Sequence, residues 1–447
     1  MRLFASSWQG WDMQSNRRRV CLAELGRIVT GKTPPSSLEG SFGGRVPFIT
    51  PSDYDGSKFI FRTARCLTSI GENAVRSARI PAGAVMVTCI GSDMGKVALN
   101  EREAFTNQQI NSLIVEDSVT AEYVYYNLLM RKSELRAKAS GSAQPILNKS
   151  AFGAVEIELP SIEEQGAIVS ILRSLDSRIN ILRQTNATLE SIAQALFKSW
   201  FIDFDPVRAK AEGREPEGMD AETAALFPDS FDDSALGEIP KGWAVSTVGQ
   251  VAQCVGGGTP STKEPKFWES AIHHWTTPKD LSGIAAPVLL DTERCLSDAG
   301  LAKVSSGLLP VGTLLMSSRA PIGYLAISKI PVAVNQGYIA MPPDGQLAPE
   351  YLYFWCQSNM DAIKQKANGS TFMEISKAAF RPIPIVLPSS EVASYFADLA
   401  GKIFERITEG ERQRIHLEEM RDTLLPRLIS GKLRLPEAES QLNEALA

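Results

Sequence analysis

Residues 161–206 read SIEEQGAIVSILRSLDSRINILRQTNATLESIAQALFKSWFIDFDP, and the spacing of their apolar side chains decides the architecture. Ile168, Leu172, Leu175, Ile179, Leu182, Leu189, Ala193 and Leu196 follow an alternating four-three spacing, with Asn186 the polar residue on that seam. This is the a/d pattern of a coiled-coil helix. Pro160 sets where the helix can begin, and Ser161 with Glu163 and Glu164 gives an acidic first turn. Asp205-Pro206 ends the run. About 38 residues at about 1.5 Å each make a rod of about 57 Å. A narrow apolar stripe on such a rod requires a partner helix.

The chain supplies that partner, because it is an internal repeat. LAELGRIVTGKTP at 22–34 recurs as VGQVAQCVGGGTP at 248–260. Thr50-Pro51-Ser52-Asp53 recurs as Thr277-Pro278-Lys279-Asp280, and Thr63, Arg65, Cys66 and Leu67 as Thr292, Arg294, Cys295 and Leu296. Asn107-Gln108, Gly141-Ser142 and Lys149 recur as Asn335-Gln336, Gly369-Ser370 and Lys377. The opening helix recurs too, Ile168, Leu175, Ile179 and Leu189 becoming Phe396, Ile403, Ile407 and Leu417. Its seam is poorer, with Gly410, Arg414 and Arg421, and it closes at Pro426, expected to kink it, and Gly431, a helix stop. The globular parts mix short β-rich runs (46–51, 84–91, 112–116, 155–160) with a helix at 124–139, and the second copy matches. The expected fold is therefore α+β. Two repeated mixed α/β domains, 1–160 and 241–388, are separated by two long antiparallel helices, 161–202 and 389–432, that form a coiled coil with pseudo-two-fold symmetry. Residues 203–240 are polar and acidic and read as a linker or an extended surface segment, and 433–447 as a tail.

Composition narrows the function. Apolar residues are 44% and charged residues 22%, as in a soluble globular protein, and no run is long enough to span a membrane. The N-terminal segment lacks the apolar core of a signal peptide. Cys21, Cys66, Cys89, Cys254, Cys295 and Cys356 are scattered, as free thiols of a reducing cytoplasm would be. His273-His274 has no further ligands at metal spacing. A net charge of −5 means that DNA contact would rest on local patches or on a partner's charge. Catalytic motifs fail on inspection. GRIVTGKT at 26–33 matches a phosphate-binding loop, but Pro34-Pro35 follow where a helix should open, and the second copy drops the lysine. Pro228-Asp229 with Glu264-Pro265-Lys266 fits a nuclease pattern only loosely, and Asp205-Pro206-Val207 lacks the second proline and aromatic of an amino-methylation site.

LFKSWFIDFDPVRAK at 196–210, GEIPKGWAVSTVGQVA at 237–252 and TLLPRLISGKLRL at 423–435 resemble the specificity subunits of type I restriction-modification enzymes, as do the repeated GxTPS entry and N-Q core. The first half departs from the pattern, entering through MQSNRRRV instead of a copy of IPKGW. The resemblance implies a cytoplasmic, non-catalytic subunit with paired target-recognition domains that read the two half-sites of a bipartite double-stranded DNA target. It implies partners: two methyltransferase subunits, and two restriction/translocase subunits in the full complex. S-adenosylmethionine, ATP and Mg would sit on those partners only, with no cofactor or metal on this chain. The rod would then act as a ruler that fixes the unread spacer. A solitary DNA-binding regulator and a coiled-coil scaffold that reads no DNA are the alternatives.

Candidate DNA-binding residues are polar and lie in loops of both copies. In the first domain they are Lys32, Thr33, Thr50, Ser52, Asp53, Ser92, Asn107, Gln108, Gln109, Ser142, Gln144 and Lys149. In the second they are Thr259, Ser261, Lys263, Lys279, Asp280, Ser318, Arg319, Asn335, Gln336, Ser370, Thr371 and Lys377. Asn and Gln suit adenine, Arg and Lys suit guanine, and Ser, Thr and Lys suit phosphates. Positions equal in both copies are expected to carry the fold. Positions that differ, such as 92–94 against 319–321 and 143–145 against 371–373, are the better candidates for base reading. Phe197, Trp200, Phe201 and Phe204 are expected to staple the first long helix to the second domain, with a partner-subunit anchor as the other reading.

Overall fold

The computed structural model describes residues 17–139, 145–369 and 373–446. The chain divides into two compact units, Met1–Asn180 with His416–Ala447, and Ile181–Ile415. Both contain one globular domain and stretches of both long helices. Those helices run from Ile162 to Phe201 and from Ser390 to Ile429, 40 residues each. The second continues through Pro426 for one more turn before Gly431, at φ 70°, ends it.

In the first unit the strand Arg18–Cys21 pairs antiparallel with Glu156–Leu159, just before the long helix. A five-stranded sheet takes the order Arg27–Thr30, Ile110–Ile114, Val85–Thr88, Val97–Asn100, Phe59–Ile60. A four-stranded sheet takes the order Arg65–Leu67, Phe42–Ile49, Ala104–Thr106, Arg79–Ile80. The helix expected at 124–139 is two helices, Ser118–Leu129 and Lys132–Ala137. The second unit repeats this plan with one strand fewer in each main sheet, four and three. Ala244–Thr247 pairs with Pro384–Leu387 as Arg18–Cys21 pairs with Glu156–Leu159, so the two copies enter alike although the first lacks IPKGW. The segment 203–240 is not an extended linker. It forms helices Asp205–Ala211 and Ala221–Ala225 and the hairpin of Phe231–Ser234 with Gly237–Pro240. Apolar residues hidden among its acids drive this: Val207, Phe227 and Ile239 are buried.

The two copies fasten their globular domain to the helix pair by different physics. In the first unit Lys58, 8% exposed, pairs with Glu122 at 2.5 Å and donates to the Tyr126 hydroxyl oxygen at 3.0 Å. Arg173 of the first long helix grips both oxygens of Glu122. Tyr126 donates to Asp176 of that helix, and Asp176 pairs with Arg421 of the second at 3.1 Å. Burial pushes the Glu122 carboxyl up, but hydrogen bonds from Arg173 and Lys58 outweigh it and hold it below its ordinary value. Burial lowers the Lys58 ammonium, which Glu122 only partly offsets.

In the second unit the corresponding positions are Pro287, Glu350, Phe354, Gly401, Phe404 and Ala193. Phe354 packs against Phe404 at 5.9 Å, and Phe197 meets Tyr351, Phe354 and Phe396 at 5.0, 6.0 and 5.7 Å. Phe197, Trp200, Phe201 and Phe204 are all buried in this cluster with Trp243 of the IPKGW run. Their rings fasten helix to domain and are not exposed to a partner. Glu350 has no cation in ion-pair contact among the described residues, and burial raises its pKa. The polar seam positions are also occupied productively. Gly410 faces Asn186, where a Cβ would stand 2.5 Å from Oδ1. Arg414 pairs with Glu411, both nearly buried.

Candidate nucleic-acid interface

Several polar residues common to both copies form the same hydrogen bonds twice. The backbone N–H and hydroxyl of Thr50 both donate to Asp53 Oδ2 at 2.7 Å, and Ala64 N–H donates to Oδ1 at 2.9 Å. Thr277 donates likewise to Asp280 at 2.7 and 2.9 Å, and Glu293 N–H at 2.8 Å. Thr33 donates to Gln108 at 2.7 Å as Thr259 does to Gln336 at 2.6 Å. Asn107 accepts from Gln109 N–H, and Asn335 from Gly337 N–H. These side chains brace loop backbone, which matches the expectation for residues that do not vary between copies. Ser52 joins the first brace through Thr50.

The remaining candidates divide. Lys149, Lys377, Lys263 and Ser261 are exposed. Lys32 donates to Ser77 at 3.0 Å, and Lys279 pairs with Glu293 at 2.7 Å. Arg319 lies 3.5 Å from Glu374, while Ser318 is buried and therefore does not face solvent. Ser92 is exposed, and Arg136 donates to its carbonyl. Ser142, Gln144, Ser370 and Thr371 lie outside the described residues. The phosphate-loop lookalike is a strand and a turn. Residues 27–30 pair with Ile110–Ile114, and the N–H groups of Gly31 and Lys32 are already donated to Ile110 and Thr106 carbonyls. The residues directly after Thr33 are not helical, so the loop offers no anion cradle.

One feature escaped the sequence reading, although Arg65 and Arg294 stood in the repeat. Arg65 lies over the rings of Phe42 and Phe48 at 4.5 and 5.3 Å. Arg294 lies over Trp268 and Trp275 at 3.5 and 5.5 Å. Each stack is the edge of a sheet, with Arg65 opposite Phe48 and Arg294 opposite Trp275.

Two globular domains of one design, with loop braces that are the same in both copies and loops that differ between them, define a paired-recognition protein. The family model for the type I restriction modification DNA specificity domain matches residues 15–191 and 240–421. The chain belongs to this family of type I restriction-modification specificity proteins. It is 27% identical over 438 residues to the type I restriction enzyme MjaIX specificity subunit of Methanocaldococcus jannaschii, covering 96% of this chain and 94% of that one. It is 27% identical to the HindI specificity subunit of Haemophilus influenzae, covering 75% of this chain and 84% of that one. Its fold is similar to the crystal structure of the type I restriction-modification S subunit from M. genitalium, with a TM-score of 0.54, 16% identity, and coverage of 94% and 97%. Among the described residues no helix is long and apolar enough to cross a membrane.

Proposed function

We propose that this chain is the DNA-reading subunit of a type I restriction-modification enzyme, with each globular domain reading one half-site of a bipartite duplex target. The observation that carries this reading is the duplication. Two domains share identical loop braces yet differ at 92–94 against 319–321, as two readers of unlike half-sites should. Catalysis, S-adenosylmethionine, ATP and Mg belong to partner subunits in this reading, and the chain works in the assembled complex in the cytoplasm. The long helices set the unread spacer and carry the methyltransferase subunits. Two methyltransferase and two restriction/translocase subunits complete the assembly. The net charge of −5 fits this division, since partner subunits would supply much of the phosphate neutralisation. Exchanging residues 17–160 for those of a relative, then sequencing methylated adenines in the host, tests it. One half-site should change while the other half-site is kept. A methylated sequence that stays whole, or changes in both halves, would overturn the reading.

A further inference from the structure

In the first domain, four residues stand opposite one another across the four-stranded sheet. Arg65 faces Phe48, Phe48 faces Phe105, and Phe105 faces Arg79. Both rings are fully buried, so the row is an aromatic floor with an arginine at each rim. The two arginines differ in their company. Arg79 is neutralised by Glu72 at 2.9 Å and Glu103 at 3.3 Å. Arg65 is exposed and has no carboxylate in ion-pair contact among the described residues.

The second domain repeats only one of these rims. Its row runs Arg294, Trp275, Ala333, and the position matching Arg79 is Leu308. Arg294 is again exposed, stacked on two rings and without a carboxylate partner among the described residues. The self-neutralised arginine is thus dispensable to the design, while the unneutralised one is kept. A guanidinium seated in the corner of two edge-to-face rings has lost most of its rotamer freedom before any ligand arrives. It keeps outward N–H donors in the fork geometry that phosphate oxygens accept. Sameness in two readers of different sequence suits a contact that carries no sequence information, which is a contact to the backbone.

We propose that Arg65 and Arg294 are a matched pair of phosphate-gripping residues, each holding the DNA backbone at its own half-site. The proposal rests on the DNA-reading function given above. Stacking organises each guanidinium in advance, so a phosphate gains its hydrogen bonds without ordering a free side chain. Arg79 is the internal control, because its charge is already spent within the domain.

The test uses the methyltransferase complex assembled on full-length chain, a duplex carrying the methylated target and an unrelated duplex of equal length. Arg65→Ala and Arg294→Ala should each weaken binding to both duplexes roughly tenfold and reduce the slope of log affinity against log salt by about 0.9. The methylated sequence should not change. Arg65→Lys, which keeps the charge and loses the fork, should keep the slope with a smaller loss of affinity. Arg79→Ala should leave both affinity and slope alone. If Arg65 only covers its rings, Arg65→Ala will lower the melting temperature and leave the salt slope intact, and the proposal is wrong. A loss confined to the target duplex with an altered methylated sequence also overturns it, in favour of base reading. A wild-type complex that fails to tell the two duplexes apart would sink the parent reading and this proposal with it.

Discussion

Arg421→Met should loosen the first unit selectively. Arg421 and Asp176 are 15% and 10% exposed, so the substitution leaves a nearly buried carboxylate without its cation. Removing one partner of a buried pair costs about 3–5 kcal/mol. Asp176 keeps the Tyr126 hydroxyl at 2.5 Å, which places the expected cost at the lower end, about 3 kcal/mol. The second unit shows how the same junction is built without charge, with Phe354, Phe404 and Ala193. The triple substitution Tyr126→Phe, Asp176→Phe, Arg421→Ala installs that set and should recover stability to within about 1 kcal/mol of wild type. A chain with two units does not unfold in one step, so hydrogen exchange by peptide is the suitable assay. Peptides from 118–129 and 162–180 should open roughly a hundredfold faster in Arg421→Met, and peptides from 349–358 should not change. A cost below about 0.5 kcal/mol for the single variant, or a triple variant no better than the single, would refute the reasoning.

The remaining predictions concern pH and the loop braces. Glu122 is held below its ordinary value, so its contribution is present above about pH 4.3 and is lost as pH falls through the folded value. Glu350 is raised, so its contribution is present below about pH 4.3 and is lost as pH rises through the folded value. Acidification towards about pH 4.3 should therefore raise protection around 349–358, acidification below it should lower protection around 118–129, and Glu350→Gln should abolish only the first effect. Asp53→Ala removes an acceptor for three donors and should destabilise the first unit by about 1–3 kcal/mol, with Asp280→Ala doing the same in the second. Calorimetry measures the loss, and the methylated sequence should be untouched at permissive temperature; a changed sequence would make these aspartates readers.

The long helices and the repeat were legible because both are written in period and register, which one sequence carries in full. Ile168 to Leu196 dictate a seam, and the duplicated motifs dictate two domains. What a seam position does when it is polar was not legible. Gly410, Arg414 and Arg421 look like flaws until Asn186, Glu411 and Asp176 are placed beside them. The acidic stretch at 203–240 was misread for a similar reason, since Val207 and Phe227 matter only once Trp200 and Trp243 are near. Among the candidate DNA contacts, Thr50, Asp53, Asn107 and Gln108 and their counterparts bond within the domain, whereas the shared Lys149 and Lys377 are exposed. Arg65 and Arg294 were seen as repeat markers and passed over, because a stack on two rings depends on Phe42 and Trp268, neighbours that spacing does not reveal.

The first unit is assembled from both ends of the chain. Arg17 donates to the carbonyl of Ile429 and pairs with Glu164, and Arg421 meets Asp176. The second unit is one uninterrupted run, Ile181–Ile415. During synthesis the second unit can therefore close while the ribosome still holds the residues that finish the first. The domain made first is completed last, and a chain released early would carry a finished second unit beside a first one with Asp176 still waiting for its arginine.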